Sequence, residues 1–122
     1  GKRGEREAAK ELNRLFGLQA RRAQQYCGEA GDADLLGVEG LHVEVKRVER
    51  FHMHPALEQA DSDRKAGEAP LILTKQNLKS WVVCCYLDDL PKVMACLDPA
   101  DESGGPASDS PPLDPDPKSE LQ

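Results

Sequence analysis

Three ionisable residues near the middle of the chain could do chemistry together. Asp34 is followed, after nine residues, by Glu44 and Lys46 in the run Leu41-His42-Val43-Glu44-Val45-Lys46. Leu41, Val43 and Val45 alternate with His42, Glu44 and Lys46, which predicts a strand with one apolar and one polar face. Glu44 and Lys46 then project side by side, roughly 7 Å apart along one face. A turn around Glu39-Gly40 would return the chain and bring the short segment Asp34-Leu35-Leu36 beside that strand. Two carboxylates and an amine on one patch suit a hard divalent cation, since Mg²⁺ typically takes one or two carboxylates plus water and phosphate oxygens. Such a cation acidifies a bound water and neutralises charge building on a phosphate. A neighbouring lysine can hold the attacking water or the charged phosphorus centre. The same spacing fits a half-buried strand whose outer face carries a Glu/Lys pair, and spacing alone leaves both open.

The elements that must position these groups are legible around them. Residues 4–16 predict an amphipathic helix, with Ala8, Ala9, Leu12, Leu15 and Phe16 on one face, Glu5 and Glu7 in its first turn and Gly17 as its stop. Residues 18–22 predict a short strand, and the Gly-containing stretch 27–33 a connection. Asp32, two residues before Asp34, is a weaker ligand candidate. After the Glu44 strand, Pro55 suits the first turn of a helix running to about Ala66, with Gly67 as its stop. Residues 70–75 and 81–87 carry continuous apolar runs and read as buried strands joined by a hairpin. Residues 88–94 predict a short last helix, with Asp88-Asp89 as its cap. Helix, strands, helix, strands gives an α/β domain: a small mixed β-sheet flanked by helices.

The order of Asp34 and Glu44-Val45-Lys46 resembles the PD-(D/E)xK nuclease signature. The helix opening Arg3-Gly4-Glu5-Arg6-Glu7 and the later helical Gln59 are similar to the archaeal Holliday junction resolvases and to the phage and prophage endonucleases of that type. The resemblance covers roughly residues 2–95, with one departure: the proline that usually precedes the aspartate is Ala33. It implies a restriction-endonuclease-like α-β-β-β-α-β core and a metal-dependent endodeoxyribonuclease, most of all a Holliday junction resolvase of phage or prophage type. It implies Asp34 and Glu44 as ligands of Mg²⁺ (or Mn²⁺), with Glu5 joining them, Lys46 at the attacking water and Gln59 supporting the shell. It implies DNA as partner and a homodimer; on that reading Arg3, Arg6, Arg21, Arg22, Arg47 and Arg50 are the residues expected to hold the DNA backbone. Alternatives keep the fold and cut duplex, flap or damaged DNA, or bind DNA without cutting it.

Other residues are read beside that site. Tyr26, after Arg21-Arg22, could pack on a sugar or base, or the stretch could be a solvated edge. His52 and His54 are two apart but have no third partner in the sequence, so hydrogen bonding or DNA contact is expected over zinc. Lys75 and Lys79 could reach a DNA backbone. Cys27, Cys84, Cys85 and Cys96 form no CxxC pair and are expected as small buried hydrophobes in a reducing compartment.

Bulk properties set the frame. The 122 residues allow one domain, and 39% are hydrophobic. The net charge of -6 argues against nucleic acid until its distribution is read. Residues 1–97 hold 15 Lys+Arg against 15 Asp+Glu, whereas residues 98–122 hold one Lys against seven acidic residues. The body is therefore neutral, and clustered arginines can still hold phosphate locally. Residues 1–97 are expected to form the domain and 98–122, rich in Pro, Ser and Asp, a disordered acidic tail. The sequence has no membrane-length apolar run, and Gly1-Lys2-Arg3-Gly4 is followed by no apolar signal region, so no membrane partner and a cytoplasmic protein, in a bacterial host if phage-encoded, are expected.

Overall fold

The structure, a computed structural model, describes residues 2–23 and 31–98. Tyr26, Cys27, most of the 27–33 connection and the acidic tail beyond Asp98 lie outside them. A five-stranded sheet in the order β1-β2-β3-β4-β5 forms the centre: β1 Arg21–Arg22, β2 Leu35–Leu36, β3 Leu41–Arg47, β4 Ala69–Lys75 and β5 Val82–Cys84. β1 pairs antiparallel with β2, and β2 antiparallel with β3. β3 and β4 are parallel, in a register that pairs Glu44 with Ile72. β5 returns antiparallel to β4. The three α-helices are α1 Lys2–Phe16, α2 Met53–Asp63 and α3 Leu90–Leu97. The mixed sheet flanked by helices is the α/β architecture the element order predicts.

Period-two alternation decides which helix meets which face. Leu41 and Val43 of β3 and Ala69, Leu71 and Leu73 of β4 point to one side, where they pack with Ala8, Ala9 and Leu12 of α1 and Val93 and Leu97 of α3. Ile72 points to the other side, against Leu57 and Ala60 of α2. The parallel β3–β4 pair needs a crossover, and α2 supplies it.

Local contacts fix α1 over the sheet. Gly17 N–H donates to Asn13 O at 2.9 Å and ends the helix. The Asn13 side chain then clasps Ala20, accepting from its N–H at 2.7 Å and donating to its carbonyl at 3.0 Å, which steers the chain into β1. At the other end, a Cβ on Gly4 would meet Arg47 Cβ at 2.9 Å. Only a glycine lets the first turn of α1 lie this close to the end of β3.

Several boundaries differ from the sequence reading. β1 shortens to Arg21–Arg22, because Asn13 takes the backbone groups of Ala20 that a longer strand would use. α2 spans Met53–Asp63, with Pro55 in its first turn as expected but with its end three residues short of Ala66. β5 shortens from 81–87 to Val82–Cys84. The expected 88–94 helix is a 3₁₀ turn, Leu87–Asp89, running into α3. The expected cap is not made: the chain is already helical at Asp89 (φ -90°, ψ -7°), and its side chain makes no capping hydrogen bond. Cys84, Cys85 and Cys96 are free thiols, each half-buried. Burial pushes the Cys84 and Cys85 thiols up, away from the reactive thiolate.

The β4–β5 connection is braced though exposed. Gln76 Nε2 donates to Glu49 O at 2.5 Å, Asn77 N–H to Glu49 Oε2 at 2.7 Å and Arg47 Nη1 to Asn77 Oδ1 at 3.1 Å. At its tip Leu78 sits at φ +62°, a left-handed backbone unusual for a leucine, and is 99% exposed.

Candidate active site

The hairpin turn at Glu39-Gly40 brings the two acidic segments together. β2 pairs with β3 at Leu35↔Val43, which brings Asp34, just before β2, beside Glu44. The backbone is hydrogen-bonded there, Asp34 N–H donating to Val43 O at 2.9 Å and Ala23 N–H to Asp34 O at 2.9 Å. The Asp34 side chain turns in and accepts from Val45 N–H at 2.8 Å. One carboxylate is thereby fixed to the backbone between Glu44 and Lys46.

Burial and crowded charge act together at this spot. Burial is the main force pushing the Asp34 carboxyl up, to about 6, with the Val45 N–H working against it. The charges of Glu44 and Glu5 push it further, and Glu44 also hydrogen-bonds to it. Glu5 of α1 therefore does come beside the Asp34–Glu44 pair. It is 13% exposed, and Arg22 Nε lies 2.9 Å from its Oε1. Neither atom has an aligned hydrogen-bond partner, so this is a charge contact within the protein. Three carboxylates converging with one arginine is a donor set that fits a hard divalent cation: oxygen ligands and excess negative charge.

On the same face of β3 the site extends in both directions. Toward its end, Lys46 lines a cleft with Arg50, Phe51, His52 and Gln59 of α2, about 360 Å³ in volume. The Lys46 ammonium makes no hydrogen bond or ion pair among the described residues. Gln59 Nε2 donates to Asp63 Oδ2 at 2.9 Å, one helical turn along. Toward its beginning, His42 is only 1% exposed and its Nε2 lies 2.7 Å from Glu44 Oε2. That hydrogen bond holds His42 above the usual imidazole range against the pull of burial, and the charges of Glu44, Glu68 and Asp63 add to it. The polar face of β3 is thus covered by α2 and not open to water at this end.

The predicted basic residues divide into two groups. Arg3, Arg6, Arg21 and Arg50 are exposed. Arg22 is spent on Glu5, and Arg47 on Glu7 at 3.4 Å and on Asn77, both as internal braces. Arg3, Gly4, Glu7, Arg47 and Asn77 line a shallow depression beside the start of α1. Two residues of this region were not singled out from the sequence, His42 and Asp63. The signal was present: His42 stands two positions before Glu44 on the same strand face, and Asp63 four after Gln59 on the same helix face. No helix among the described residues is long and apolar enough to cross a membrane.

No family model and no curated protein matches the chain. Among solved structures, the chain is similar to a Holliday junction resolvase from Archaeoglobus fulgidus, an archaeal hyperthermophile. The two share 22% sequence identity and a TM-score of 0.53, over 70% of this chain and 76% of that one. The likeness is one of fold: this chain shares with that resolvase the mixed sheet flanked by helices that the order of its elements predicts.

Proposed function

We propose that this protein is a divalent-metal-dependent endodeoxyribonuclease that cuts branched DNA, the four-way Holliday junction above other forms. The observation that carries this reading is the pairing of Asp34 with Glu44 across β2 and β3, with Lys46 the next residue along the same face. Asp34 and Glu44 hold the cation, Mg²⁺ or Mn²⁺, with Glu5 assisting from α1. When bound, the cation acidifies water and neutralises charge on the phosphate. Lys46, free of internal partners, holds the attacking water in line with the scissile phosphorus. Gln59 faces Lys46 across the cleft and orients that water. Arg3, Arg6, Arg21 and Arg50 meet the DNA through phosphates, which suits recognition of shape over base sequence. Arg22 and Arg47 act one step back, holding Glu5 and the first turn of α1. Two copies related by a two-fold axis would set two such sites on opposing strands of a junction.

The test is cleavage of a labelled four-way junction and a duplex of the same arms, with Mg²⁺, with Mn²⁺ and with EDTA. Metal-dependent cutting of the junction in symmetric pairs, by a protein that elutes as a dimer, supports the reading in full. Equal cutting of the duplex keeps the active site and moves the substrate to DNA in general. Binding without cutting in either metal overturns the catalytic reading.

A further inference from the structure

His42, Glu44 and Asp63 form a second group of ligands, built on the far side of Glu44 from Asp34. One donor atom of each lies within 4.8 Å of the others. A bound first-row metal, at about 2.0–2.2 Å from nitrogen or oxygen, brings neighbouring donors to ~3 Å. His42 and Glu44 already meet that separation at 2.7 Å, and a small swing of the Asp63 carboxyl at the end of α2 closes the third side.

The residues behind the ligands point the same way. Metal-binding histidines usually present their second nitrogen to a carboxylate. His42 directs Nε2 to Glu44, while its Nδ1 lies 3.8 Å from Glu68 Oε1. Asp63 is oriented in turn by the Gln59 amide on Oδ2 at 2.9 Å. Gly31, at φ +96°, leaves room beside it, since a Cβ there would meet Asp63 Oδ1 at 3.3 Å. A cavity of about 430 Å³, lined in part by Lys65 and Glu68, leads to His42. So both ligands not shared with the Asp34 site have a supporting partner, and the buried one has a path to solvent.

We propose that His42, Glu44 and Asp63 bind a borderline transition metal, Mn²⁺ or Zn²⁺, at a site distinct from the Asp34 cation site but sharing Glu44 with it. The imidazole nitrogen selects the metal, because Mg²⁺ and Ca²⁺ take oxygen donors while imidazole suits first-row transition ions.

The experiment needs no DNA. The chain has three histidines, so a His52→Gln/His54→Gln background leaves His42 as the only imidazole. Mn²⁺ is added to this protein in excess Mg²⁺, and electron spin-echo modulation reads whether nitrogen is bound, with calorimetry for affinity. The expected result is one Mn²⁺ per chain with nitrogen coupling. Asp63→Asn should weaken it by ~10-fold or more, His42→Gln should remove the coupling, and Asp34→Asn should leave it in place. Absence of nitrogen coupling in the background protein overturns the inference. So does an Asp63→Asn affinity equal to that of the background, which decides the matter if His42→Gln does not fold. A protein that cuts no DNA yet binds Mn²⁺ through nitrogen upholds this site and removes the nuclease reading alone.

Discussion

The two faces of the sheet are built to different ends. On the α1 and α3 face, Leu41, Val43, Leu71 and Leu73 belong to one continuous cluster of buried apolar residues. On the α2 face the apolar cluster has three fully buried members, Leu57, Ala60 and Ile72. The rest of that face is given to His42, Glu44, Lys46, Gln59 and Asp63. One strand, β3, serves both by alternation. The α1 face supplies burial, at about 25 cal/mol per Å² of apolar surface. The α2 face spends part of that gain holding charged groups close together and partly out of water. A domain of this size needs the first face to be nearly faultless if the second is to exist.

Mutations that separate the faces test this division. Glu44→Gln keeps the side-chain volume and the contact with His42, so the melting temperature should shift by only a few degrees. Cutting of junction DNA should fall by ~10³-fold, the scale of losing a metal ligand or general-base contact. Cleavage assays beside thermal melts check both halves, and substantial residual cutting by Glu44→Gln would count against the site. Leu71→Ala strikes the other face. Leu71 is fully buried between α1 and the sheet, and its truncation should cost ~2–5 kcal/mol in denaturant unfolding. Activity should then fall only as far as the folded fraction falls.

Asp34→Asn sharpens the contrast. The folded protein holds this carboxyl up at about 6, from an ordinary 3.8. The unfolded chain therefore ionises first as pH rises, so metal-free stability should decline between about pH 4 and pH 6 and level off above. The asparagine variant should lose most of that slope and be more stable than the parent at neutral pH, by ~1 kcal/mol after solvent screening. It should not cut DNA. Unfolding curves across this pH range, in EDTA, decide it, and an unchanged slope in the variant would sink the assignment of the pH dependence to Asp34. The smallest effect belongs to Leu78→Gly. Relief of its left-handed backbone should add ~1 kcal/mol of stability. Because Leu78 lies on neither packed face, duplex-normalised cutting rates should stay within about twofold of the parent.

The sequence disclosed the pairing of Asp34 with Glu44 because its determinants are local: a period-two strand, a Gly-containing turn and a short returning segment. It disclosed α1 for the same reason. It did not disclose that Arg22 answers Glu5, since that contact joins α1 to a strand of two residues. Nor did it show that His42 is buried. A polar residue on the polar face of a strand reads as solvated until α2 is known to cross over it. The cap at Asp89 failed for a related reason: tertiary packing delivers the chain to α3 already helical, which leaves a side-chain cap nothing to add.

The parallel pairing of β3 with β4 has a consequence for the life of the chain. Glu44 and Ile72 are neighbours in space but 28 positions apart, and they meet only after α2 has folded over the sheet. Closing such a loop costs entropy before any contact repays it, which delays the central pair during folding. The hairpin that holds Asp34 and Glu44 is local, but Gln59 reaches it only as α2 crosses over and β4 docks on β3. A nascent or partly folded chain carries every one of these groups before their full geometry is assembled. If the chain cuts DNA as proposed, that activity would become available only with the completion of folding.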